Sequence, residues 1–185
     1  MIIPCLILIM VIVMISVTVI LRCDKKTEVF TVSKGLYLLK IVTILLRKYK
    51  IKTWLDAGTL LGVIRDGALI KHDTDVDIAT YYDNREKLSK IANNAKLLKT
   101  VNLECWRNEE NMVSFNIIGD PGTYLDVYLM KWQPKLELIK FMKYTYNVPK
   151  NPKSYLKILY GKWKIPKKGK HADPNVHIKG RGVKN

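Results

Sequence analysis

The chain has 185 residues, 48% of them apolar and 26% charged, which suffices for one domain with a sizeable core and falls short of two. That balance excludes an intrinsically disordered protein, and three cysteines without a CxxC pair or a Cys/His cluster exclude a zinc knuckle and a disulfide framework. The formal net charge is +16, with fifteen Lys or Arg in residues 131–185 against only Glu137 and Asp173. Such an excess suits phosphate-bearing partners, namely nucleic acid, anionic lipid or a nucleotide-activated substrate, or else serves as a solvated basic face.

Residues 1–21, "MIIPCLILIMVIVMISVTVIL", carry no charged side chain. At about 1.5 Å per residue, a helix of this length spans the roughly 30 Å hydrocarbon core of a bilayer. A cleavable signal peptide needs a basic leader, a shorter apolar stretch and a small-residue cleavage site, and none is visible. The expectation is an uncleaved single-pass anchor. Arg22, Lys25 and Lys26 follow it, and by the positive-inside rule they place the domain in the cytosol.

A polar linker over 22–33 leads to the helical run "KGLYLLKIVTILLRKYK", with Ser33 as the expected cap and Leu38, Ile41, Val42, Leu45 and Tyr49 at helical spacing. Residues 53–57 read as a short strand. A short helix begins near Gly58-Thr59 and is stopped by Gly67. A loop precedes a strand from Asp75 to about Thr80. The spacing then predicts one helix over 84–99, strands at 101–106, 112–118 and 124–131, a turn at 119–122 and a helix at 152–160. The folded domain is placed at 34–166 and a basic tail at 167–185. Strands and helices in this mixture give an α+β or mixed α/β fold.

Four aspartates punctuate the otherwise apolar segment 58–79, at positions 66, 73, 75 and 77. A strand has period two, so Asp75 and Asp77 share a face about 7 Å apart at their Cα atoms. Carboxylates this close repel unless a cation lies between them, and oxygen ligands suit Mg²⁺ or Mn²⁺. Asp126 stands alone in the apolar run "YLDVYLM" and completes a metal site if its strand lies beside the first. The alternative for Asp75 and Asp77 is a solvated strand edge that discourages aggregation. Gly58 and Thr59 open a helix whose free N–H groups suit a phosphate.

"WLDAGTLLGVIRDGALIKHDTDVDIA" resembles the signature of the LicD/fukutin family, a branch of the nucleotidyltransferase fold. Gly58, Thr59, Leu60, Leu61, Gly62, Arg65, Asp73, Asp75 and Asp77 match its pattern, and "YGKWKIP" is similar to the C-terminal element through Tyr160, Gly161, Trp163 and Pro166. Lys71-His72, Thr74 and Lys162 depart from it. The resemblance implies a mixed sheet flanked by helices, and transfer of a phospho-alcohol group, phosphocholine or ribitol phosphate, from a CDP-linked donor to a glycan hydroxyl. It also allows a secretory-pathway lumen as the compartment. The metal would be held by Asp75, Asp77 and Asp126, with donor phosphates at Gly58, Thr59 and Arg65. Asp126 or Asp73 would take the acceptor proton. Arg65 equally suits an ion pair with Asp66 or Asp56, His72 reads as a polar loop residue before a base, and the four tryptophans read as core before stacking platforms.

Two other functions fit the residues. One is a nucleotidyltransferase that adds a nucleoside monophosphate to a small molecule or RNA end. The other is a non-catalytic basic protein tethered at a membrane. No nucleic-acid motif is present, so no specific nucleic acid is expected as a partner.

Overall fold

The structure, a computed structural model, describes residues 31–166. The expected anchor at 1–21, its flanking charges and the tail at 167–185 lie outside the described residues, among which no helix is long and apolar enough to cross a membrane.

Helix α1 (Val32–Lys48) buries Leu38, Leu39, Val42, Leu45 and Leu46, one stripe at helical spacing, against the sheet. Thr31, not Ser33, caps it: the Thr31 side chain accepts from the Lys34 N–H, and Ser33 already lies inside the helix. Strand β1 (Thr53–Leu55) is shorter than expected because Asp56 leaves the strand to cap α2 (Ala57–Asp66). Strand β2 (Asp75–Tyr81) follows the loop, and Asn93-Asn94 break the expected single helix into α3 (Arg85–Ala92) and α4 (Ala95–Thr100), with Asn94 capping the second. Three strands come next, β3 (Leu103–Asn108), β4 (Met112–Ile117) and β5 (Tyr124–Met130).

These strands form one mixed sheet in the order β1-β2-β5-β4-β3. β2 and β5 run parallel at its centre, and every other neighbouring pair is antiparallel. The fold class is therefore mixed α/β, with helices flanking a mixed sheet. A hairpin of β6 (Leu136–Phe141) and β7 (Tyr144–Pro149) was not expected, and α5 (Pro152–Tyr160) closes the described chain. β7 docks beside the free edge of β1, where the Asn147 side-chain N–H donates to the Thr53 carbonyl at 2.8 Å.

Alternation along β2 separates its two faces. Val76 and Ile78 enter the large core with α1, α3 and α4, whereas Ala79 joins a second cluster with Trp54 and Met130 on the other face. Asp75 and Asp77 share that second face, which resolves how an inner strand carries two carboxylates.

Candidate active site

The turn from β1 into α2 builds one wall of the site. Ala57 takes φ 39°, in the left-handed region that favours glycine, and swings the chain sharply from strand to helix. Asp56, fully buried, accepts from the Ala57 N–H at 2.8 Å and from the Tyr155 hydroxyl at 2.8 Å. The next N–H, that of Gly58, donates to Asp77 Oδ2 at 2.8 Å, and the Asp77 N–H donates back to Thr59 Oγ1 at 2.7 Å. α2 and β2 are thus laced together at one carboxylate.

Gly58 is required by space. A Cβ there would lie 2.5 Å from Asp73 Oδ2 and 2.9 Å from Asp77 Oδ2. Asp73 folds back from the loop before β2, and one oxygen from each of Asp73, Asp75 and Asp77 lies within 4.8 Å of the others. Asp126 faces Asp77 directly across the parallel pairing, and Ser114, its partner on the other side, donates to Asp126 Oδ1.

Asp77 is 6% exposed and Asp126 5% exposed. Burial, reinforced by Asp73 and then Asp126, pushes the Asp75 carboxyl up to about 7. Burial first, and then its carboxylate neighbours, raises Asp77 well above the ordinary range. Burial also raises Asp126, opposed by the Ser114 hydrogen bond and the Arg107 charge. The same negative field adds to burial in lifting the Tyr128 and Tyr160 hydroxyls. Among the described residues no lysine or arginine forms an ion pair with Asp73, Asp75 or Asp77, although the protein carries a net +16.

A set of carboxylates with no sulfur or imidazole, drawn together around a glycine that leaves the space open, fits a hard divalent cation. Its closest trio is Asp73, Asp75 and Asp77. The expected set had Asp126 in place of Asp73, and Asp126 instead stands alongside, tied to Ser114.

The expected residues thus converge, with one outlying. Gly58, Thr59, Asp73, Asp75, Asp77 and Asp126 meet at one end of β2. Arg65 lies two turns along α2, about 10 Å from Gly58 at 1.5 Å per residue, and grips Asp66 through two hydrogen bonds of 2.9 and 2.7 Å. That is the ion-pair alternative weighed for it. Thr59 is 3% exposed and its oxygen is turned to β2. His72 is exposed on the loop and outside the metal-ligating trio.

Sequence reasoning missed Ser114 and Arg107, which share with Asp126 and Asp77 a single cross-strand row. A register shift between Cys105 and Arg107 lets Trp106 stand out of the ladder. Trp106 is a correction to the expectation of core tryptophans. It is 56% exposed, with its ring 5.4 Å from that of Tyr124 and the Arg107 guanidinium 4.5 Å from its centre. Trp54 is buried, and Trp132 and Trp163 pack against the core.

Residues 50–136 match the family described as LicD/FKTN/FKRP, nucleotidyltransferase domain. Over those residues, just under half of the chain, the protein is similar to that family's nucleotidyltransferase domain. Among solved structures it is similar to the antibiotic-resistance factor ANT(2'')-Ia in solution, at 14% identity and a TM-score of 0.42, over 56% of this chain and 50% of that one. The crystal structure of ANT(2'')-Ia with adenylyl-2''-tobramycin gives 16% identity and a TM-score of 0.37, over 52% of this chain and 49% of that one. The lincomycin-bound lincosamide antibiotic adenylyltransferase LnuA gives 14% identity and a TM-score of 0.44, over 64% of this chain and 82% of that one. The chain spans about half the length of ANT(2'')-Ia. No curated protein matches it.

Proposed function

We propose that the protein transfers a phospho-alcohol group, of the phosphocholine or ribitol-phosphate kind, from a CDP-linked donor to a hydroxyl of a glycan, while residues 1–21 hold it at a membrane. The observation that carries this reading is the Asp73–Asp75–Asp77 trio gathered over Gly58 within the residues that match the LicD family. A divalent ion, Mg²⁺ or Mn²⁺, held by that trio supplies positive charge to the donor diphosphate.

The chain's own residues do the rest. Gly58 keeps the approach to the carboxylates open, and Thr59 fixes the main chain of Asp77. Asp126 is the carboxylate outside the trio, and burial raises its proton affinity, so it takes the proton of the acceptor hydroxyl. Arg107 balances charge at Asp126 and adds a contact for donor phosphate.

The test is incubation of the full-length protein with a panel of CDP-alcohols, Mg²⁺ or Mn²⁺ and candidate glycans. CMP release coupled to a phosphodiester on the sugar supports the reading. Pyrophosphate release from a nucleoside triphosphate would instead assign nucleotidyl transfer, and no turnover with any donor would overturn both.

A further inference from the structure

At the end of the sheet away from the aspartates, two adjoining hollows of about 240 and 470 Å³ run between α1 and the β6–β7 hairpin and share Thr43, Arg47, Tyr146 and Asn147. Their charged lining is entirely cationic: Lys40, Arg47, Lys50, Lys52 and Lys143. No acidic residue lines either one. Large apolar side chains stand exposed around the cations. Leu138 is 69% exposed, Met142 53% and Ile44 48%, and Tyr144 is exposed with Lys40 Nζ 5.5 Å from its ring centre.

The pattern is organised. Tyr37, Lys40, Ile44 and Arg47 fall at helical spacing on the outward side of α1, opposite the stripe that enters the core. The hairpin turn at Met142-Lys143, with Met142 at φ 51°, presents an apolar tip beside a cation. Lysine and arginine stems lie along apolar surface while their heads reach outward, and tyrosine rings favour the boundary between apolar and wet phases.

We propose that this face of α1 and the β6–β7 hairpin docks on an anionic lipid bilayer. Charge complementarity selects a negative partner, and aliphatic side chains interleaved with lysine, arginine and tyrosine select the headgroup layer of a membrane. A water-borne polyanion would leave Leu138, Met142 and Ile44 unburied. The sequence agrees, since 21 residues without a charged side chain precede α1, and residues 22–31 between them reach at most about 35 Å when fully extended. Docking in this way turns the Asp73–Asp75–Asp77 end of β2 away from the lipid, because Thr80, at the other end of β2, pairs with Thr53 beside the hollows. The inference concerns attachment and stands or falls apart from the proposed chemistry.

Lysine footprinting tests it. The full-length protein is acetylated briefly in vesicles of phosphatidylcholine alone, and in vesicles that also contain phosphatidylserine, with each lysine read by mass spectrometry. Residues 1–21 are present in both, so the difference isolates the folded face. Lys40, Lys50, Lys52 and Lys143 should react several-fold more slowly on the anionic vesicles, while Lys87, Lys90 and Lys96 on α3 and α4 should be unchanged. Added salt, or the surface exchange Arg47→Glu with Lys143→Glu, should restore the faster rate. Equal rates in the two vesicles overturn the proposal, as does protection of the same lysines by single-stranded RNA but not by phosphatidylserine.

Discussion

Asp77 and Asp126 stand directly opposite each other on neighbouring parallel strands, and each carboxylate is held by a donor from a different element: Gly58 for the first and Ser114 for the second. Two buried negative groups side by side are costly unless a cation or a proton is shared among them. In Asp75→Asn and Asp77→Asn, one unit of that repulsion is removed with little change in shape. Without metal, melting temperature should hold or rise. Stabilisation by Mg²⁺ should disappear and CMP release should fall by at least about a hundredfold, the scale of losing one preorganised electrostatic group. Asp66→Asn, away on the Arg65 pair, should change neither. An Asp75→Asn protein that still gains stability from Mg²⁺ would sink the metal assignment.

The proton affinity of Asp75 gives a pH signature. Its folded-state carboxyl titrates near 7 against 3.8 ordinarily, so the native state binds more protons than the unfolded one between those values. The Asp75 contribution to stability is greatest below pH 3.8 and is lost as pH rises through about 7. Metal-free protein should therefore melt at lower temperature at pH 8 than at pH 6, and Mg²⁺ should flatten the difference. In Asp75→Asn the slope over this window should be reduced, and an unchanged slope would assign it to other groups.

Gly58→Ala tests the glycine separately. Its Cβ meets carboxylate oxygens at 2.5 and 2.9 Å, so Asp73 and Asp77 have to move apart. The crowding should cost about 1–3 kcal/mol, and calorimetry with and without Mg²⁺ should show weaker metal stabilisation in addition. Wild-type metal response in Gly58→Ala would show that the trio adapts freely.

Thr59 separates positioning from contact. Thr59→Val removes the acceptor for the buried Asp77 N–H and should cost about 1–3 kcal/mol, whereas Thr59→Ser keeps the oxygen and should cost far less. Chemical denaturation of the pair gives the comparison. Equal losses in the two would mean that packing of the methyl group, and not the hydrogen bond, is what matters.

Much of the site is legible in the residues because it is local. Gly58, Thr59, Asp73, Asp75 and Asp77 lie within twenty positions, and strand alternation alone puts Asp75 and Asp77 on one face. Asp126 was reachable as a lone charge in an apolar run, though only the pairing of β2 with β5 places it. Ser114 and Arg107 carry no such mark. Their part depends on which strands neighbour β5 and on the register shift at Trp106, both decided by tertiary packing. The β6–β7 hairpin was missed because Leu136, Leu138 and Lys140 on one face, and Glu137, Ile139 and Phe141 on the other, show no clean alternation. Both faces of the hairpin carry charge, one of them the basic surface beside α1. At 84–99 a continuous apolar stripe concealed two caps, since Asn93-Asn94 stop one helix and begin another.

The hydrogen bond from Tyr155 to Asp56 joins residues 99 positions apart. During synthesis, a growing chain displays the complete motif of residues 58–77 long before the residue that steadies its wall has been made. A message broken off after codon 136 would encode the whole stretch that matches the family, yet it would lack β7 against the edge of β1 and α5 beneath Asp56. The product of such a message would carry the aspartate motif without the tyrosine that steadies its wall.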